Sequence, residues 1–206
     1  MASKDLIEAV TGLENYISLN GVTDKAIEVY CNACNTAIVD EKDIDYGLTL
    51  TKRAKGLIED FTKLQMGRSL WDIEKYCYEK HIRYEILENW YAILKLEAQN
   101  RILDSYFLYL EKNREPNERF YMPKRKQFAK FGLIDAYQGA LDDLYDIICI
   151  SMPPGTGKTT LLKFFNSAVI GWFPKDYNLF YSHSGDITRM YYDGVYQIVS
   201  DSAEYT

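Results

Sequence analysis

The first hundred residues carry apolar side chains at helical spacing. In two rows these side chains recur every three or four positions, at Leu57, Phe61 and Leu64, and at Ile82, Ile86, Trp90 and Ile93. This spacing matches the 3.6-residue turn of an α-helix and places the apolar groups on one face. The pattern therefore predicts helices from Asp5 to about Leu110.

Turn-forming and capping residues divide this helical region. Gly21 with the residues after it, and the segment 43–51 with its central glycine, are predicted connections, because Gly, Asp and Thr favour turns and caps. Ser69 or Asp72 is predicted to cap a further helix. The interpretation gives several separate helices.

A polar segment marks the expected domain boundary. Residues 113–119 contain a proline, so we expect them to end a long helix that runs through Tyr106 and Leu110. The prediction is a helical region over residues 1–112 and a second domain over residues 113–206.

The pattern changes in the second domain. Residues 145–151 form a short run rich in Ile that ends in a Pro-Gly cluster, which is typical of a buried strand. A helix is then predicted over 159–170, a second strand over 178–182, and a last helix that starts at Ser184 or Asp186 and runs through Val199. This order predicts an α/β fold in which the helical region precedes the start of a parallel sheet with flanking helices.

A glycine-rich loop follows the first predicted strand. Residues 151–160 read SMPPGTGKTT, and Gly155 and Gly157 permit backbone conformations that point successive N–H groups at phosphate oxygens. The strand-to-helix context predicts a phosphate-binding P-loop. Met152 stands where the common motif has its first glycine, and the two prolines after it lack amide donors. We therefore expect the phosphate contacts to begin at Gly155.

The loop side chains have distinct expected roles. Lys158 is the expected catalytic residue, because its ammonium group can reach the β and γ phosphates. Thr159 is expected to complete the coordination of Mg²⁺. ATP and Mg²⁺ are the predicted cofactors, and the predicted binding residues are Gly155, Thr156, Gly157, Lys158, Thr159 and Thr160. The alternative is a glycine-rich turn without a ligand.

Charge and composition limit the remaining classes. A net charge of −6 gives no overall attraction to nucleic acid, so any DNA contact has to be local. No segment approaches the roughly 18 apolar residues of a membrane span, and the start of the chain lacks a signal-peptide pattern. We expect no membrane partner and a cytoplasmic location. The 4 cysteines are too few and too unevenly spaced for a disulfide framework.

Two stretches resemble the large terminase subunit of tailed phages. One consists of residues 105–126 together with the predicted strand and the loop SMPPGTGKT, and the other is FYSHSGDITR at residues 180–189. The resemblance covers about residues 104–199. It implies the start of a RecA-like ATPase domain, in a motor that drives double-stranded DNA into a procapsid. It also implies the portal protein and the small terminase subunit as partners, and a homo-oligomer on the portal in the host cytoplasm.

The same resemblance implies further candidate residues. Members of the family have a glutamine or aromatic segment that contacts adenine, for which Gln127 is the candidate by position and Gln138 the competitor. The alternative for either is a surface glutamine. Gly155 stands where close relatives carry an arginine.

Acidic motifs of the family are missing after Val199. Neither its Walker B strand, which ends in Asp-Glu, nor its nuclease carboxylates follow. The segment Thr36–Glu41 imitates a Walker B strand in letters, but it lies among predicted helices and is interpreted as a helix end or loop. We therefore expect a fragment or truncated reading frame, inactive alone, that binds nucleotide weakly at most.

Three weaker constellations remain open. Cys31 and Cys34, with Cys77 and His81, have a zinc-like spacing, although cysteines in helices are more often small core residues. His183 follows the second predicted strand, where a sheet presents its ligand side, and is otherwise a capping or surface residue.

The basic run Lys124–Lys126, with Arg119 nearby, is the third constellation. It is a candidate for contact with DNA or nucleotide phosphate, and the alternative is a solvated face.

Two other functions stay in view. One is a different P-loop nucleotide enzyme, such as a small kinase in which Lys158 activates a phosphoryl group. The other is a non-catalytic helical interaction module, in which Met1 to Tyr109 bind a phage partner and the P-loop is incomplete.

Overall fold

The structure is a computed structural model that describes residues 2–201, and every regular element in that range is a helix. The α-helices are α1 (Lys4–Asn20), α2 (Asp24–Asn35), α3 (Ile44–Gln65), α4 (Leu70–Lys80), α5 (Glu85–Gln99), α6 (Leu103–Leu110), α7 (Tyr121–Lys130), α8 (Leu133–Leu141), α9 (Lys158–Trp172) and α10 (Gly185–Asp201). A π-helical turn, Thr36–Asp40, continues α2, and a 3₁₀ turn spans Pro116–Glu118. None of the described helices is both long and apolar enough to cross a lipid bilayer.

The chain forms two compact units. The first ends at Asn100 and also includes Arg114–Glu118, and the second consists of Arg101–Asn113 and the described residues from Arg119 onward. Whether residues 1–112 and 113–206 behave as separate domains stays a prediction.

The first unit is a helical bundle centred on α2. This helix packs against α1, α3 and α5, and α3 also packs against α5. Ile27, Leu57 and Trp90 are among the side chains buried between them. Side-chain caps begin α1, α2, α3 and α4, and Ser69 and Asp72 form a reciprocal capping box at α4. The predicted cap at these two residues is confirmed.

A buried ion pair joins two of these helices. The Glu97 carboxylate on α5 is 2% exposed and accepts hydrogen bonds from Thr51 Oγ1 at 2.7 Å and Lys55 Nζ at 2.5 Å, both on α3. Pairing of this kind offsets the cost of taking a carboxylate out of water.

One predicted connection in this unit is wrong. Residues 43–51 are not a linker, because the Asp43 carboxylate accepts the Tyr46 N–H and starts α3 at Ile44. Gly47 lies inside that helix, and a Cβ there would be 2.2 Å from Ile38 Cγ1. The glycine therefore allows a close helix contact rather than a turn.

The predicted long helix ends where it was expected to end, but it is divided into two helices. Its last residue is Leu110, and the polar segment after it contains only the 3₁₀ turn. Arg101, at φ +65°, lies between α5 and α6 and separates them. Two helices therefore replace the single one that was predicted.

The predicted α/β fold is wrong, because residues 2–201 contain no strand. The described residues contain no RecA-like parallel sheet, and segments 145–151 and 178–182 have no regular structure. Ile147 is 81% exposed and Leu179 is 93% exposed, which is the opposite of a buried strand. An apolar run becomes a strand only where a neighbour supplies the ladder of hydrogen bonds, and neither segment has one.

The helices predicted around these segments are confirmed as α9 and α10. The two pack against each other, and the Tyr191 hydroxyl of α10 donates to the Leu162 carbonyl oxygen of α9 at 3.1 Å. The Phe180 ring stacks on Tyr191 with centroids 3.7 Å apart. This stacking attaches the 178–182 segment to a helix instead of a sheet.

An aromatic core positions α9 in the second unit. Phe164 of α9 meets Phe107 of α6 and Phe120, with 5.8 Å between ring centroids in each pair. Phe107 also contacts Tyr121 at 5.0 Å, and Phe128 packs beside Tyr121. These rings place the beginning of α7 next to the beginning of α9.

Candidate functional site

The glycine-rich loop ends in a left-handed step that starts α9. Gly155 has φ +77° and Gly157 has φ +96°, a region that residues with a Cβ rarely adopt. Gly157 is the residue before the helix, and Lys158 is its first residue. Because the first N–H groups of a helix have no partner within it, this end attracts anions.

The polar side chains of the loop fold back on its backbone. Thr156 Oγ1 donates to the Pro153 carbonyl oxygen at 2.9 Å, and Lys158 Nζ donates to the Met152 carbonyl oxygen. Thr159 is exposed in the first turn of α9, and Thr160 is half-buried. To bind a phosphate, Lys158 would exchange its bond to Met152 for one to the ligand.

Helix α7 begins beside this loop. A Cβ at Gly157 would lie 2.5 Å and 2.6 Å from two atoms of the Phe120 ring and 3.3 Å from Lys124 Nζ. Lys124 Nζ itself is 4.6 Å from the centre of the Phe120 ring, which is a cation–π distance. The loop, the ring and this ammonium group therefore form one cluster.

A buried carboxylate fixes the beginning of α7. Glu111 is 1% exposed and accepts the backbone N–H groups of Phe120, Tyr121 and Met122 at 2.7, 2.9 and 3.2 Å. These are the donors that a helix start leaves unpaired, and a negative charge there also favours the helix dipole.

A second carboxylate holds the next turn of α7. Asp104 of α6 accepts from the Tyr121 hydroxyl at 2.6 Å and from Arg125 Nε and Nη2 at 2.9 and 2.6 Å. Burial raises the pKa of Tyr121, so its hydroxyl stays protonated and remains a donor. Arg125 is held by the Asp104 carboxylate.

The structure separates the other members of the predicted basic cluster. Arg119 donates to the Lys112 carbonyl oxygen at 3.0 Å, and Lys126 is exposed. Of the cluster Lys124–Lys126 with Arg119, Lys124 is the residue recorded beside the loop.

The two glutamine candidates have different surroundings. Gln127 is exposed on α7. The Gln138 side chain accepts the Leu103 N–H at 2.9 Å and donates to the Arg101 carbonyl oxygen at 3.1 Å, so it caps the start of α6. An adenine contact by Gln138 would have to break these bonds, and for Gln127 it stays a prediction.

The cysteines and His183, the remaining candidates from the sequence, do not form a common site in the described residues. Cys31, Cys34 and Cys77 are buried, and burial raises the pKa of the Cys31 thiol to about 12. Within the part of the chain that is described, no cluster of three or more His, Cys, Asp or Glu is arranged to hold a metal ion. His183 is exposed, and the described part of the chain contains no sheet edge that could present it.

The segment that imitates a Walker B strand is helical. Its residues form the π-helical turn Thr36–Asp40, and Glu41 accepts the Ser3 N–H at 2.7 Å. The interpretation as a helix end is confirmed.

Sequence reasoning missed the residues that support the loop. Glu111 looks like one more acid in a polar run, and Phe120 looks like an ordinary apolar residue. No local pattern signals that either meets the loop or the helix beside it.

No protein-family model, curated protein or solved structure matches the chain.

Proposed function

We propose that residues Gly155–Thr160 bind the phosphates of Mg-ATP, and that the chain is the ATP-binding part of a DNA-packaging motor of the terminase large-subunit type. The observation that carries the proposal is Lys158 as the first residue of α9, directly after Gly157, which is in the left-handed region together with Gly155. Backbone N–H groups and an ammonium group are thereby available at the same helix end.

The residues present fit a bound nucleotide. Gly155 has no Cβ and nothing lies within 4 Å of the position that one would occupy, so phosphate oxygens can approach the backbone there, while Lys158 supplies a mobile positive charge. The exposed Thr159 hydroxyl is available for the Mg²⁺ that ATP carries. Bound Mg-ATP would supply the phosphoryl group, and Lys158 would offset negative charge on the β and γ phosphates.

The motor assignment comes from the resemblance of residues 104–199 to the terminase family. On this basis we propose double-stranded DNA, a portal protein and a small terminase subunit as partners, and a homo-oligomer on the portal. Catalytic turnover belongs to the complete motor under this proposal. The net charge of −6 is consistent with local rather than general DNA contact.

Calorimetry with Mg-ATP tests the nucleotide site. Wild type should release heat on binding, and Lys158→Ala should bind at least about tenfold more weakly, since a charge-assisted hydrogen bond is lost. Lys175→Ala is the matched control, because Lys175 is an exposed lysine just beyond the far end of α9. Identical heats for wild type and Lys158→Ala would refute the site.

A helical interaction module is the second candidate. It is favoured by the first unit, which packs α1, α2, α3 and α5 around a core of its own. Surface-plasmon measurements on the 206-residue chain would separate the candidates. Portal or small-subunit binding that is unchanged in Lys158→Ala and independent of ATP favours the module over the motor.

A further inference from the structure

We propose that Lys124 is a second phosphate-contacting ammonium group of this site, acting beside Lys158. The inference rests on the proposed function, because it requires an anion at the glycine-rich loop. It assigns the contact to one member of the basic cluster and excludes Arg125 and Lys126.

The position of Lys124 is the first argument. Its Nζ lies 3.3 Å from the point that a Cβ would occupy at Gly157. Gly157 directly precedes the first residue of α9, so this ammonium group is within reach of an anion held by the first amides of the helix. A small rotation of the last bonds of the Lys124 side chain is enough to complete such a contact.

The absence of a counter-ion is the second argument. No carboxylate within residues 2–201 pairs with Lys124, whose recorded contact is the face of the Phe120 ring. The neighbouring Arg125 is neutralised by Asp104 instead. Lys124 is half-buried, and its Nζ lies beside Gly157 at the positive end of α9, whose first residue is Lys158. Such a concentration of positive charge is stabilised when an anion binds.

The rigidity of α7 is the third argument. Glu111 binds three amides of its first turn, and the Asp104–Arg125 pair holds the following turn. The Phe120 ring, packed on Phe164 of α9, carries Lys124 on its face. A cation held in place before binding loses less conformational entropy when it meets its ligand.

The affinity for Mg-ATP, measured by calorimetry on the 206-residue chain, tests this role. Lys124→Met should bind about tenfold more weakly than wild type, because one charge-assisted contact is lost. Lys126→Met removes the same charge from an exposed position on the same helix, and should change the affinity by less than about twofold because exposed charges are screened. Lys124→Arg should restore most of the affinity.

Several results would overturn the inference. Equal affinities for Lys124→Met and Lys126→Met, with Lys158→Ala still impaired, would remove Lys124 from the site and leave the proposed function standing. Weaker duplex-DNA binding by Lys124→Met with unchanged Mg-ATP affinity would assign the residue to DNA. No Mg-ATP binding by wild type would overturn both proposals.

A folding control keeps the test decisive. Thermal unfolding followed by circular dichroism should give Lys124→Met the same midpoint as wild type. If Lys124→Met unfolds, Lys124→Gln removes the charge while keeping a polar side chain, and its affinity is judged by the same comparison.

Discussion

At the scale of single residues, Gly157 has two separate reasons to be glycine. Its φ of +96° is strained for any residue with a Cβ, and that Cβ would also collide with the Phe120 ring. Gly155 shares the first reason only, since nothing lies within 4 Å of its Cβ position. The two glycines of one loop are therefore constrained to different degrees.

Alanine substitutions should reveal this difference. Gly155→Ala should lower the free energy of unfolding by about 1 kcal/mol, the cost of a left-handed residue. Gly157→Ala should cost about 1–3 kcal/mol more, because the Phe120 ring has to move. Guanidinium unfolding followed by circular dichroism measures both, and equal losses would contradict the predicted clash.

The four thiols should react very differently. Cys31, Cys34 and Cys77 are buried and Cys149 is exposed, and burial raises the pKa of all three buried thiols. A disulfide reagent that releases a coloured thiolate should label Cys149 quickly at pH 8 and the other three cysteines only after unfolding. Rapid labelling of the Cys149→Ser variant would contradict this.

Alkaline pH should weaken the fold through the same thiols. The pKa of Cys31 is raised from 9.0 to about 12, so its contribution to stability is complete below pH 9 and is lost as pH rises towards 12. The free energy of unfolding of wild type should therefore fall between pH 8 and pH 11. The fall should be smaller in Cys31→Ala, measured relative to its own value at pH 8.

At the scale of elements, α7 depends on a carboxylate from outside its own sequence. Its residue before the first turn, Phe120, offers no capping side chain, and Glu111 performs that role. The stability of this helix is therefore tied to α6, which ends one residue before Glu111.

Removing that carboxylate should destabilise the second unit. Glu111→Ala should lower the free energy of unfolding by about 3 kcal/mol, since three amides lose a charged acceptor. Asp135→Ala removes an exposed acid from the first turn of α8 and should cost less than about 1 kcal/mol. Chemical denaturation compares the two, and equal losses would show that Glu111 is not a cap.

Helices were predictable from the sequence where one face is apolar. The row through Leu57 lies in α3, and the helix after the glycine-rich loop is α9, because periodicity and capping are local properties. The strand predicted over 145–151 failed because a strand depends on a partner that the run itself cannot specify. In the site, Lys158 follows from the motif, whereas Phe120 and Lys124 reach the loop only through the packing of aromatic rings.

At the scale of the whole molecule, the described chain alternates between packed helices and two long exposed segments. Residues 142–157 and 173–184 contain no helix, and Ile147 and Tyr181 are exposed there. Segments of this kind are preferred sites of proteolysis.

Limited chymotrypsin digestion should therefore cut first in these two segments. Cleavage after Leu144 or Tyr145, and after Tyr177, Leu179 or Tyr181, should precede cleavage within α5, whose Trp90 is buried. Mass spectrometry of the early fragments identifies the sites. A first cut inside α5 would contradict the helical packing of the first unit.

Because Lys55 on α3 forms an ion pair with Glu97 on α5, these two positions cannot vary independently. Loss of Lys55 leaves the Glu97 carboxylate, which is 2% exposed, without this ammonium group in the core, at a cost of about 3–5 kcal/mol, whereas joint replacement of the pair by apolar residues of similar volume is close to neutral. A double-mutant cycle with Lys55→Met and Glu97→Leu should therefore show strong non-additivity. Related sequences can therefore replace both residues together, whereas replacement of one residue alone destabilises the fold.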